Sequence, residues 1–373
     1  MYKRQCQAQD LYEPLDAGRR YDQKTVLPMG RVPVLQQQAA GYIGFHNDEP
    51  GVRASEEDPV VTFANHTCEM RLMTSPFSAI QNVFSMRGIR GVCTSRFLYY
   101  GTKGRIRLSE YKGHHPDYRR MWIGLPPLAE QRAIAAVLGA LDDKVEANAV
   151  TRSTLRCLGL ALFQRAVENS STEVAIGDAA ASVIRGVAPK YTDPGSGELV
   201  LNQKCIRDGW ASPEAARWMQ QIPSADARKA RRHDVVVNST GVGTLGRAAR
   251  WIATDPIAVD GHVTVVRPDA ARCPPVILGY ALLAAQSQLE VLGEGSTGQT
   301  ELSRKRLAEF QVHLPGGAEA ERVAGALEDL DDQAESLRNE THGLIRFRDV
   351  LLPPLLSGEL RIRDAESLVC EAI

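Results

Sequence analysis

The sequence predicts an α+β protein: two mixed α/β domains separated by two long helices that form an antiparallel coiled coil, the whole a pseudo-two-fold repeat. Three observations lead there. One segment recurs without a gap at a constant offset of 189 residues (Leu125 to Leu314). Both copies place apolar residues at alternating steps of four and three. Short β-branched runs broken by glycine precede each copy.

In the repeat, Ala129 returns as Ala318, Glu130 as Glu319, Ile134 as Val323, Leu138 as Leu327, Leu141 as Leu330, Asp142-Asp143 as Asp331-Asp332, Leu155 as Leu344 and Leu162 as Leu351. A Leu-Pro step opens each copy, and proline is tolerated at a helix start but not inside one. The apolar spacing is that of coiled-coil a and d positions. Such a seam is too narrow to bury itself, so each helix needs a partner, and the other copy is the obvious one. Asn148 and Arg152 fall on the seam, where polar residues set register at some cost in stability.

The helices divide the chain into a first domain (1–124), a first spacer helix (125–171), a second domain (172–313) and a second helix with its tail (314–373). The domains echo each other. Val34-Leu35-Gln36-Gln37 resembles Val200-Leu201-Asn202-Gln203, Phe63-Ala64-Asn65-His66-Thr67 resembles Val259-Asp260-Gly261-His262-Val263, and Arg96 to Tyr100 resembles Val276 to Tyr280. Asp234 to Asn238 and Val263 to Val266 read as strands, Gly241, Gly243 and Gly246 as breaks between them, and Ile277 to Val291 as helical.

The 373 residues are enough for two or three domains, and 43% hydrophobic with 24% charged residues is ordinary for a soluble protein. No apolar run approaches the roughly 20 residues of a membrane helix, and the polar N-terminus lacks a secretory signal. Seven cysteines stand singly, at 6, 68, 93, 157, 205, 273 and 370. That pattern argues against a disulfide framework or zinc ribbon and for reduced thiols in the cytoplasm. The net charge of −1 at first disfavours nucleic acid. By segment, however, the first domain is +5, the first helix 0, the second domain +1 and the second helix with tail −7. The acid lies outside the domains, which leaves them free to present a basic face.

Tests for chemistry give little. Gly241 to Gly246 is a formal GxGxxG after a strand, but Arg250 to Pro256 read as strand and turn, where a dinucleotide site needs a helix. No Walker motif is present. The loop is either a glycine turn or a polar surface for phosphates and base edges. The eight histidines form no ligand spacing; His114-His115 would point apart on a strand, and His66 and His262 read as satisfied structural residues. Asp142-Asp143 and Asp331-Asp332 read as solvated or partner-facing. The Gly/Ser/Thr stretch 293–303 before Arg304-Lys305-Arg306 is either a capped helix start, with Thr300 or Ser303 as the cap, or an anion site. No catalytic group, metal site or cofactor is assigned.

Leu125 to Ile134, continuing through Leu141-Asp142-Asp143-Lys144, closely resembles the helix of the specificity (S) subunit of type I restriction-modification systems. Val183 to Tyr191, Leu201 to Gly209, Val237 to Arg247 and Gly293 to Ser303 resemble one version of that family's target-recognition domain. The resemblance covers roughly residues 30–360. It implies a non-catalytic adaptor: two target-recognition domains each read half of a split, asymmetric sequence in double-stranded DNA. The helices space the domains and dock methyltransferase (modification) subunits, and through them a restriction/translocase subunit. Membrane association is not expected.

On this reading the DNA-facing residues of the second domain are Asn202, Gln203, Lys204, Arg207, Asn238, Ser239, Thr240, Gly241, Gly243, Thr244, Arg247, Ser296, Thr297 and Gln299. Those of the first are Gln36, Gln37 and His66. The docking helices are marked by Glu130, Gln131, Ile134, Leu138, Leu141, Val323, Leu327 and Leu330. Three departures stand out. The first domain shows no counterpart to the opening strand and turn Val174 to Asp178 and reads as N-terminally shortened. Leu314-Pro315-Gly316-Gly317 lacks the usual double proline. Ala320 replaces Gln131. A stand-alone DNA-modifying enzyme and a coiled-coil protein scaffold are the alternative readings.

Overall fold

The structure is a computed structural model that describes residues 4–38, 41–106, 108, 113–223, 226–241, 243–292 and 301–373. The chain forms two compact units, Met1–Glu146 with Thr341–Ile373, and Ala147–Glu340. Each therefore holds one α/β domain and a stretch of both long helices, Leu128–Asn169 and Gly317–Ser357. Among the described residues no helix is long and apolar enough to cross a membrane.

In the second unit a six-stranded sheet has the order Ala180–Arg185, Val263–Pro268, Val235–Asn238, Ala248–Arg250, Gly209–Ala211, Ile206–Arg207. Val235-Val236-Val237 shows no polar alternation because both faces of this central strand are covered. Val235 and Val237 pack towards helix Pro275–Ala284 and the long-helix residues Val323 and Leu327. Val236 packs the other way, towards Leu201, Val259 and Ile257 of a four-stranded sheet. Each fully buried valine contributes roughly 1.5–3 kcal/mol.

The first unit repeats the plan with fewer strands. Its four-stranded sheet runs Tyr12–Leu15, Val83–Gly88, Val60–Ala64, Met70–Met73, beside a three-stranded sheet, Tyr42–His46, Val32–Leu35, Ser78–Ala79. Val61 and Phe63 face helix Ser95–Thr102 together with Ile134, Leu138, Leu141 and Leu344. Val60 and Val83 face Leu35 and Phe77.

One departure read from the sequence is corrected, and another leaves the helix start unmoved. The first domain does have an opening strand: Gln5–Gln7 pairs antiparallel with Trp122–Gly124, as Ser171–Ala175 pairs with Gln311–Pro315. Its sequence, Gln-Cys-Gln, carries no strand signal, because a two-stranded ladder is held by backbone bonds that any residue can make. The second helix also starts where the first does, since Gly317 is the repeat position of Leu128.

The long helices pack on each other. In the second unit Asn148 Nδ2 donates to Glu340 Oε2 (2.9 Å), Arg152 Nε to the carbonyl of Ala334 (3.1 Å) and Asn169 Nδ2 to Glu319 Oε1 (3.2 Å). One number falls as the other rises, so the pairing is antiparallel. The two polar seam residues, Asn148 and Arg152, thus bond across the helix pair and fix its register. In the first unit Arg348 Nη1 meets Asp142 Oδ1 at 2.5 Å. The Asp142 and Asp331 positions, expected to be solvated or partner-facing, are instead half-buried and fully buried within their own units. His114 and His115 lie at the start of helix His115–Arg120, not on a strand.

Candidate functional site

The polar residues singled out in the second domain gather where strands of its two sheets end. Asn202 follows strand Glu198–Leu201; its Oδ1 accepts from Lys204 N (2.8 Å) and its Nδ2 donates to the carbonyl of Ala215 (2.7 Å). That cap turns the chain so that Gln203 reaches across to Thr240, with Nε2 donating to the Thr240 carbonyl and to its Oγ1 (2.9 Å). Thr240 Oγ1 also shares a hydrogen bond with His262 Nδ1 (2.9 Å). Asp260 extends the chain of contacts: Oδ1 accepts from His262 N (2.8 Å) and Oδ2 from the Tyr191 hydroxyl (3.0 Å). The Arg217 guanidinium lies 3.4 Å over the Tyr191 ring. Burial, and the hydrogen bond to Asp260, raise the pKa of the Tyr191 phenol, so it stays a neutral donor.

Lys204 and Arg207 are exposed, and Asn202, Gln203, Thr240, Thr244 and Arg247 half-buried. Asn238 and Ser239 are fully buried, which removes them from any surface. Ser239 Oγ bonds Thr264 Oγ1 (2.6 Å) and Asn238 Nδ2 the Gln203 carbonyl (3.2 Å): these polar residues at a strand end tie loops together rather than face a ligand. Of the glycines, Gly241 has φ 102°, a backbone conformation that residues with a Cβ rarely adopt. Gly243 (φ 74°) has open space around it. The GxGxxG segment is a turn leading into strand Ala248–Arg250, with Arg247 Nη2 bonded back to the Gly243 carbonyl at 3.0 Å. Ser296, Thr297 and Gln299 lie outside the described residues, as does Thr300; Ser303 caps the six-residue helix Arg304–Glu309.

The first unit carries a matching arrangement. Gln37 stands at the position of Gln203, and its Oε1 accepts from His66 N (3.1 Å) while Thr67 Oγ1 donates to the Gln37 carbonyl. Gln36 and His66 are half-buried and engaged in contacts. The ladder register corrects one echo. Asn65 N bonds the Asn82 carbonyl as Ser239 N bonds the His262 carbonyl, so His66 corresponds to Thr240, and His262 to Asn82.

Seven of the eight helix residues named for docking are buried. Gln131, Ile134, Leu138 and Leu141 are fully buried in the core of the first unit, and Val323, Leu327 and Leu330 are buried in the second. The narrow seam is spent on each unit's own domain and on the other helix. Glu130 remains half-buried. Cys205 is buried and its thiol is pushed up to about 11, which leaves it unreactive at neutral pH. Tyr191, Arg217 and Asp260 are the site residues sequence reasoning missed, although Tyr191 ends one of the stretches that carried the resemblance.

No family model and no curated protein matches this sequence. Among solved structures, the type I restriction-modification system S subunit from M. genitalium superimposes with a TM-score of 0.54 at 17% identity, over 94% of this chain and 95% of that one. The chain has the S-subunit fold. A structure of complex assembly and conformational transition of the type I R-M system (TM-score 0.37, 17% identity, 96% and 98% covered) and the HsdS subunit from Thermoanaerobacter tengcongensis (0.34, 19%, 96% and 97%) are also similar. In the S-subunit fold as this chain builds it, the polar Gln203–Thr240–His262 and Gln37–His66 groups occupy corresponding strand ends of the two α/β domains.

Proposed function

We propose that the chain is the DNA sequence-recognition subunit of a type I restriction-modification complex, acting in the cytoplasm and without catalysis of its own. Each α/β domain reads one half of a split, asymmetric duplex target. The observation that carries this reading is the duplication of one arrangement: a glutamine after the same strand, bonded to the loop after the central strand, in both units. Amide and imidazole groups there suit base edges, and the exposed Lys204 and Arg207 suit phosphates. The long helices act as the spacer between half-sites. Methyltransferase subunits dock on the helices, and a restriction subunit joins through them. Because the apolar seam is buried, docking uses exposed positions such as Arg132, Ala136 and Asp143.

The test is a methylome of host cells with and without this gene. Loss of methylation at one bipartite motif is expected; an unchanged methylome overturns the proposal. Band shifts with the partner methyltransferase give a second readout, in which binding indifferent to both duplex sequence and salt counts against it.

A further inference from the structure

The second unit carries an open cavity of about 430 Å³ lined by Arg156 and Leu160 of the first long helix, by Arg207, Asp208 and Gly209, and by Arg247, among others. Arg207 pairs with Trp210 and Ile206 with Ala211, so Asp208-Gly209 is the whole connection of a hairpin. Both residues have positive φ (52° and 77°), as an Asp-Gly hairpin turn requires. A Cβ on Gly209 would lie 3.1 Å from Arg156 Cδ, so the glycine also lets the helix arginine lie against the turn. Arg247 also lines it, with its Nη2 bonded to the Gly243 carbonyl. Among the described residues, neither Arg156 nor Arg207 has a side-chain hydrogen bond or an ion-pair partner. Three guanidiniums therefore line one cavity with a single carboxylate, Asp208. They repel one another until an anion enters, and a guanidinium fork matches phosphate oxygens two at a time.

We propose that this cavity clamps one backbone phosphate of bound DNA, with Arg156 of the spacer helix as the third guanidinium; this rests on the DNA-recognition reading above. A phosphate contact carries no sequence information and fixes position instead. The clamp belongs to the second unit. The repeat position of Arg156 is Ile345, the ladder position of Arg247 is Glu69, and among the described residues the four-stranded sheet ends at Met70–Met73 with no hairpin beyond it. The two half-sites are thus held unequally, the second with the stronger grip on the backbone.

The experiment is equilibrium binding of the full chain to a random-sequence duplex between about 50 and about 200 mM salt. Arg156→Gln is expected to flatten the plot of log affinity against log salt by about 0.9, and Arg207→Gln, on the exposed hairpin, to do the same. Arg156→Lys and Ile345→Gln are expected to keep the wild-type slope. Wild-type slopes in both glutamine variants overturn the clamp while leaving DNA recognition standing. A wild-type chain with no salt-dependent duplex binding overturns both. Inorganic phosphate is the probe for a free-anion site: if it raises the melting temperature of the wild type alone while the DNA slopes stay equal, the cavity holds a free anion and the DNA assignment fails.

Discussion

In the first unit Asp142 accepts a hydrogen bond from the Tyr100 hydroxyl (3.0 Å) and pairs with Arg348 of the second long helix (2.5 Å). In the second unit its repeat partner Asp331 accepts from the Tyr280 hydroxyl (3.3 Å), but Arg250 holds it bidentately from a strand (2.5 and 2.7 Å). The repeat position of Arg348 is Gly159, where a Cβ would lie 2.3 Å from the Tyr280 hydroxyl, so the ring fills the space an arginine side chain would need. A second contrast is linked in the same way. Gln131 accepts from Thr94 N (3.0 Å) and donates to the Val92 and Pro126 carbonyls (both 2.9 Å). Ala320 stands in its place, and the N-cap equivalent to Thr94 is Pro274, which has no N–H to satisfy. Each unit settles its buried polar groups locally, and a change on a helix is matched by a change in the domain it packs on.

Breaking these linked pairs measures the contrast. Arg250→Met leaves Asp331 charged, buried and unpaired, and is expected to cost roughly 3–5 kcal/mol in denaturant unfolding. Arg348→Met opens Asp142 to solvent and is expected to cost about 1–2 kcal/mol. Equal losses from the two would erase the distinction between buried and half-buried pairs. Gln131→Ala strands the Thr94 N–H and is expected to cost about 1–3 kcal/mol. Ala320→Gln, which buries an amide opposite a proline, should destabilise rather than stabilise; a gain in melting temperature would show that the two sites are not matched. Gln203→Ala and Gln37→Ala, each removing roughly 1 kcal/mol of loop order, should each relax base preference in one half-site, read by selection from a randomised duplex pool. Relaxation of the same half by both would break the one-unit, one-half assignment.

The smallest effect concerns pH. Hydrogen bonds from Arg322 and then Asn169 hold the Glu319 carboxyl down to about 2, from an ordinary 4.5. A depressed carboxylate stabilises the fold above about pH 4.5, and that contribution disappears as pH falls towards 2. The first helix carries Ala133 where the second has Arg322, so this pair is a feature of the second copy. Glu319→Gln should lower stability at neutral pH and flatten the acid limb of a stability-against-pH curve, so that the variant and wild-type curves converge towards pH 2.

The helix repeat was legible because a period near 3.6 and a gapless offset survive in the letters, and Asn148 and Arg152 announced themselves by interrupting an apolar seam. The Gln37/Gln203 correspondence was legible from the Val-Leu strand endings that precede both, Val34-Leu35 and Val200-Leu201. Strand Gln5–Gln7 was not, since a backbone ladder leaves no side-chain pattern. The His66/His262 echo matched letters across different strand ends: the connection 65–69 is four residues shorter than 239–247, and only the ladder hydrogen bonds reveal the slip. Asn238 and Ser239 looked like ligand-facing groups because polarity in a sequence does not tell a buried tie from an exposed hand. Arg156 carries no signal in the sequence; the hairpin turn is what places Arg207 beside it.

The division of the chain also orders its birth on the ribosome. The second unit is one continuous stretch, whereas the first needs residues 341–373 to complete its core through Leu344, Leu351 and Leu355. Domains fold as units while synthesis proceeds. The half of the molecule made first can pack Ile134, Leu138 and Leu141 on its own sheet and helix, but its core is completed only when the last-made helix brings Leu344, Leu351 and Leu355.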